Sequence, residues 1–324
     1  MLLPHALAIS AFALLSTSMV ILPRPELNNP RSIQFPSFTS VFNKLPASVY
    51  DENIVRTKFY PMSAAAYSDS PEKCLRAVFK NASLERQVTK VCDWDRDDTC
   101  SAFAALSHTD KAIIIAFRGT TNFIQLITEA GETLNEHVDF ITGGKVSKYF
   151  FDAFNIVWHS GMKDEFLTLR LNYPDYEVWI TGHSLGGAMA SLCAASIVKL
   201  GIIDQAKVKL VTLGQPRTGN KVYAQAHDQL LSHSFRVVHK RDMVAHLPYF
   251  DFENYHHHKS EVWYDNLMLP GNAPTSICYA DESDECSNGL IFTLSVPDHL
   301  RYFGHKVSTF CSAPFLSSPS GDGS

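Results

Sequence analysis

The sequence predicts an α/β fold, a mostly parallel central sheet flanked by helices. Three observations predict it. From residue 102 onward, β-rich runs alternate with helical runs in the order β-α-β-α-β. One β run, AIIIAF at Ala112 to Phe117, is continuously apolar, as a strand covered on both faces should be. The stretch Glu177 to Ala190, EVWITGHSLGGAMA, reads as a strand, a tight turn and a helix.

Composition sets the bounds. The chain has 324 residues, is 45% hydrophobic and carries a formal net charge of −5. That is ordinary globular composition with enough chain for a large core, and it fits one α/β domain. The mild acidity and the lack of a basic stretch argue against a nucleic-acid partner. Met1 to Leu22 has no charged side chain, and its apolar run ends in Ser16-Thr17-Ser18. It reads as a secretory signal peptide, with a retained anchor as the alternative. On the signal-peptide reading the protein is secreted and keeps no stable membrane span. Seven cysteines suit an oxidising compartment. No C-x-x-C pair occurs, so structural zinc is not expected. Asn81-Ala82-Ser83 is a glycosylation sequon.

In chain order, 23–58 is Pro-, Ser- and Asn-rich and reads as a linker or extended segment, and 59–316 as the α/β domain. Tyr60 to Tyr67 looks helical. Cys74 to Cys100 is charged and reads as an irregular surface segment. Ala102 to Leu106 and Ala112 to Phe117 are strands joined at His108-Thr109-Asp110. The second ends at Arg118-Gly119-Thr120, a polar turn where α/β sheets place ligand sites. Thr120 there can offer an N–H and a hydroxyl to an oxyanion, or simply end the strand. Phe123, Ile124, Leu126 and Ile127 form an apolar cluster, a core helix or a cover over the site. Tyr149 to Leu171 reads as one long amphipathic helix ending before Pro174. After the helix from Ala188 to Leu200 come a strand at Val208 to Leu213, a loop at 214–220, a helix at Lys221 to Leu231 and a strand at Phe235 to His239. The Ser/Gly-rich 317–324 is a flexible tail.

The turn at Gly182-His183-Ser184-Leu185-Gly186 is a G-x-S-x-G nucleophile elbow. A serine thrown out at a sharp strand-to-helix turn is strained, and its neighbours two residues away have room only for glycine. The following helix aims backbone N–H groups and a partial positive charge at that point, which suits a transient oxyanion. A neutral serine needs a base, and the base needs an orienting acid. In α/β-hydrolases the order is Ser, then Asp or Glu, then His. Asp242 follows the strand FRVVH directly, with Asp251 and Asp265 as competitors. His299 lies late in the chain, in a loop after the apolar run Leu290 to Val296; His305 and His246 are its alternatives. His256-His257-His258 could suggest a metal, but consecutive histidines do not all face one point, so none is expected.

Seven pieces occur in the order that one family shows: AAAY at 64–67, AFRGT at 116–120, GKVSKYFFDAF at 144–154, VWITGHSLGGAMA at 178–190, TLGQPRTGN at 212–220, RDMVAHLP at 241–248 and DHLRYFGH at 298–305. From about Phe59 to Cys311 the chain resembles the class 3, fungal-type secreted triacylglycerol lipases. The resemblance implies an α/β-hydrolase fold with a helical lid. It implies Ser184 as nucleophile, Asp242 as orienting acid, His299 as base, and Thr120 and Leu185 as oxyanion residues. It places the lid after Thr120, at about Thr121 to Leu134. Fungal members often carry a tryptophan there; this chain has Leu126 at about that position.

What this implies is a lipid ester substrate met at a lipid–water interface, cleaved without metal or organic cofactor. The alternatives are a soluble carboxylesterase such as a feruloyl esterase, a phospholipase on the same fold, or a non-catalytic lipid-binding protein. Three disulfides are expected. Cys92–Cys100 and Cys278–Cys286 close short loops between near neighbours. Cys74–Cys311 is the terminal bridge of the fungal members. Cys193 stays a free buried thiol.

Overall fold

A computed structural model describes residues 48–92, 99–119, 136–250 and 252–312 of the chain. The signal-peptide reading, most of the linker and the tail lie outside these residues. The main sheet has eight strands, numbered here in chain order. They are β1 (Ala82–Val91), β2 (Thr99–Ser107), β3 (Ala112–Arg118), β4 (Glu177–His183), β5 (Val208–Leu213), β6 (Ser234–His239), β7 (Glu261–Tyr264) and β8 (Ser276–Cys278). Their order across the sheet is their order in the chain. β1, β2 and β3 run antiparallel as a meander, β3 to β7 run parallel, and β8 returns antiparallel.

Alternation along each strand builds two cores. Ile113, Ile115 and Phe117 of β3 join Val178 and Ile180 of β4 and Leu210 of β5 on one face. Ala112, Ile114 and Ala116 join Trp179, Val211 and Leu213 on the other. Helix α1 (Tyr60–Ala65) covers the second face, with Phe59 stacked on Trp179 at 5.4 Å. Helices α3 (Lys148–Val157) and α5 (Leu185–Lys199) cover the first. Between them in the chain lies α4 (Lys163–Asn172), and α2 (Pro71–Val78) precedes β1. Every residue of α5 from Leu185 to Ile197 is buried. A helix apolar all round belongs in a core, and its run of alanines lets it approach β3, β4 and β5 closely. Helix α6 (Lys221–Leu230) links β5 to β6. No helix among the described residues is long and apolar enough to cross a membrane.

The sequence reading needs three corrections here. Cys74 to Cys100 is not irregular: it holds most of α2 and all of β1. Only Val88 of β1 is buried, so no apolar alternation marks it. As the outermost strand it exposes Glu85, Arg86 and Lys90, charges that discourage edge-to-edge pairing. The long helix expected over Tyr149 to Leu171 is two, α3 and α4, broken at Ser160-Gly161, where Gly161 has φ 113°. A side chain at Gly161 would meet the Arg86 guanidinium at 2.7 Å, so the notch receives an arginine from the edge strand. The packed domain also begins before residue 59, since Tyr50 and Val55 are buried in the second core.

Three disulfides join Cys74 to Cys311, Cys92 to Cys100 and Cys278 to Cys286, with sequence separations of 237, 8 and 8. Cys193 is a free thiol buried in α5, and burial pushes its pKa far up. Asn81 is exposed at the bend before β1.

Candidate active site

The site lies at the carboxyl ends of β3 to β6. β4 enters the elbow at His183 and α5 leaves it at Leu185. Ser184 between them has φ 61° and ψ −133°, a conformation L-residues rarely hold. The turn is this sharp because two glycines permit it. A Cβ on Gly182 would lie 2.1 Å from the Gly186 carbonyl oxygen, and one on Gly186 would lie 2.3 Å from that of Phe117. Ser184 donates its N–H to Leu213 of β5 and accepts from Gly187, which ties the elbow to the sheet. Leu185 opens α5, so its N–H is among those with no intrahelical acceptor. Gly119, at the end of β3, packs directly on Leu185. Thr120, Phe123, Ile124, Leu126 and Ile127, and with them the expected lid, lie outside the described residues, as does Asp251.

Asp242 and His299 meet in the core. His299 Nδ1 lies 2.9 and 3.0 Å from the two carboxylate oxygens of Asp242, and both residues are essentially inaccessible to solvent. Two further donors hold the carboxylate: the Val244 N–H at 2.8 Å and the Tyr302 hydroxyl at 2.5 Å. Burial alone would raise the Asp242 pKa. The His299 imidazole and the hydrogen bonds from His299 and Tyr302 outweigh it and hold the carboxyl down at about 2. The acid is therefore charged whenever the protein is folded near neutrality. Gly214 lies beneath the pair. It has φ +56°, and a Cβ there would meet Asp242 Oδ2 at 2.6 Å.

His299 sits in a short helix, α7 (Val296–Leu300), rather than in the loop expected from the sequence. Ser295 caps it and also fixes it: a bridge joins Ser295 to Asp242, with Ser295 donating to the Arg241 carbonyl at 3.0 Å. The apolar run before it reaches the surface. Ile291 and Phe292 are 88% and 71% exposed. A run of apolar residues signals burial only if the chain can tuck it in. This one is held on the rim by its attachment to the Asp242 turn.

The competing residues are placed otherwise. Asp265 is half-exposed and faces Arg241 at 3.9 Å. His305 is exposed against Phe310. The ring nitrogens of His246 face the backbone oxygens of Asp242 and Ser287. Of the triple histidine, His257 faces the Ala245 carbonyl, and His258 lies among Gln215, Ser191 and the Lys259 carbonyl. His227, Asp228 and His258 bring ligand-type atoms within 4.8 Å of one another. The two imidazoles, however, stack 3.7 Å apart and only 18° from parallel. Their in-plane lone pairs then run in separate planes and do not converge on one ion.

Two neighbours carried no role in the sequence reading. Tyr302 donates to Asp242, and His183 stacks on His299 with ring centroids 4.4 Å apart. Both lie inside matched motifs, DHLRYFGH and GHSLGG, and that was the only signal.

His183, stacked on His299, directly precedes Ser184, so the elbow brings the strained serine near a buried, carboxylate-paired imidazole. Comparison with known proteins finds lipases. The model of the lipase (class 3) family matches residues 114–252. A lipase of Caenorhabditis elegans, ZK262.3, is 33% identical over 322 residues, covering 87% of this chain and 90% of that protein. A lipase of Rhizomucor miehei is 33% identical over 257 residues, covering 76% of this chain and 68% of that one. Among solved structures, a triacylglycerol lipase whose catalytic centre is a serine protease triad superposes with a TM-score of 0.70 at 29% identity, covering 82% of this chain and 99% of that one.

Proposed function

The chain belongs to the class 3 lipase family, and we propose that it hydrolyses triacylglycerol-type lipid esters by acyl transfer through Ser184, Asp242 and His299. The reaction class is carboxylic ester hydrolysis. The observation that carries the residue assignment is the buried Asp242–His299 pair beside a strained serine at a helix N-terminus.

His299 Nε2 takes the proton from the Ser184 hydroxyl as its oxygen attacks the ester carbonyl. Asp242 fixes the tautomer through Nδ1 and stabilises the imidazolium that forms. The oxyanion accepts from the Leu185 N–H, at the positive end of α5, and from Thr120. His299 then gives its proton to the leaving alcohol. Water, deprotonated by His299, cleaves the acyl-enzyme and frees the fatty acid. No step calls on a metal or an organic cofactor.

The exposed side chains of Ile291, Phe292 and Leu294, on the segment bridged to Asp242, support work at a lipid–water interface. The apolar leader and three disulfides support secretion, and the exposed Asn81 sequon supports glycosylation there. Ser184→Ala and His299→Ala tests the core of the proposal. Each should lower turnover by roughly 10³-fold or more with the melting temperature retained. Wild-type turnover in either variant refutes the assignment.

A further inference from the structure

Acyl transfer uses Ser184 but asks nothing of the residue before it. In this chain that residue is His183, 3% exposed and held on three sides. Its ring lies face to face with His299, centroids 4.4 Å apart and planes 27° from parallel. Its Nε2 lies 2.8 Å from the His299 backbone oxygen. Its Nδ1 lies 2.8 Å from the Tyr67 hydroxyl. A carbonyl only accepts, so Nε2 carries the proton, and Nδ1 accepts from Tyr67. Both nitrogens are satisfied by one neutral tautomer.

We propose that His183 is a positioning residue for the base: through its donated hydrogen bond and its stacked face it fixes the main chain and the ring plane of His299, and Tyr67 fixes His183. The inference rests on the triad reading above.

Three consequences follow from the chemistry. The bond to the His299 carbonyl anchors α7 to the elbow, so nucleophile and base share one rigid unit. The stacked face limits rotation of the His299 ring away from Asp242 and Ser184. The tautomer keeps His183 uncharged, so no second cation opposes the imidazolium that forms on His299. Burial, then the neighbouring His299, push the His183 pKa down to about 3, in line with that neutrality. The titratable groups facing His183 are Tyr67 from the segment after α1, His299 and Tyr302 from the α7 region, and Asp242 beyond them. Tyr67 is itself partly buried, and desolvation pushes its ionisation far up, so it remains a donor.

The test compares His183→Phe, His183→Gln and Tyr67→Phe with the wild type. The readouts are kcat and KM on a soluble short-chain ester from pH 5 to 9, with melting temperatures alongside. His183→Phe keeps a flat face and loses the donor. It should lower kcat by roughly tenfold or more, leave KM within about twofold, and move the acid limb of kcat/KM. His183→Gln restores a donor and should recover part of kcat. Tyr67→Phe should give a smaller loss of kcat with the same displacement of the acid limb. A wild-type kcat and an unmoved acid limb in His183→Phe overturn the proposal. So does loss of activity that tracks melting temperature alone in all three variants. If His183→Phe does not fold, Tyr67→Phe decides: a wild-type pH profile there contradicts the clamp. Undiminished turnover in His299→Ala would instead strike down the triad reading, a separate failure.

Discussion

Asp242 is the residue on which the site's electrostatics turn. It is a fully buried carboxylate with three donors, His299, Val244 and Tyr302. Tyr302→Phe removes one donor and leaves the ring. It should cost roughly tenfold in kcat/KM and raise the Asp242 pKa from about 2, narrowing the acid side of the activity profile. An unchanged profile would mean that Tyr302 only fills space. The folded pKa lies below the unfolded one, so this interaction stabilises the fold above about pH 4. It is lost as pH falls from there through about 2. Ser184, Asp242 and His299 were legible as candidates because elbow geometry, chain order and motif resemblance converge on them. Tyr302 and His183 were not, because a hydrogen-bond partner 60 or 116 positions away is set by tertiary placement rather than by any local pattern.

The elements were legible where packing imposes a period. β3, β5, β6 and α5 are buried on all sides or alternate cleanly, and the sequence marks them. β1 was missed because an edge strand buries one side chain and spends the rest on solvent. The break between α3 and α4 was missed because a glycine inside an amphipathic pattern reads as tolerated, and only the Arg86 guanidinium against Gly161 shows why the chain turns there. The segment before α7 is apolar in sequence yet exposes Ile291, Phe292 and Leu294. That exposure gives a test at this scale. Replacing Ile291, Phe292 and Leu294 by serine should lower the ratio of emulsion to soluble-ester activity by roughly tenfold, through lost apolar contact with the lipid surface. Leu126→Asp should lower the same ratio if 121–134 covers the site. A ratio that does not change in either variant moves the enzyme towards soluble esters.

At the scale of the whole molecule, the α/β architecture was readable from alternation alone, while the closure of the domain depends on contacts distant in the chain. Cys74–Cys311 spans 237 residues and ties the helical layer to the segment beyond His299. In the chain-entropy model its removal costs about 5 kcal/mol, against about 2–3 kcal/mol for either short loop. Cys74→Ala/Cys311→Ala should therefore melt lowest of the three pairwise knockouts, and an equal loss from all three would contradict that order. Buried histidines add a pH dependence. His183, His227, His257 and His258 all have pKa values pushed down, chiefly by burial. The unfolded chain binds protons that the folded chain refuses below about pH 6.5, so stability is full above that pH and falls as pH drops below it. Melting temperature should decline steadily from pH 7 to 5; a flat curve would show these groups charged in the fold. The central claim, that one activated serine performs ester hydrolysis, is tested most directly by covalent labelling. The protein is treated with an alkyl fluorophosphonate, the modified peptide is mapped by mass spectrometry, and hydrolysis of a long-chain triacylglycerol emulsion is followed in parallel. The account predicts a single adduct on Ser184, absent in His299→Ala, with activity lost in proportion to labelling. An adduct elsewhere, or full activity after complete labelling of Ser184, would contradict it.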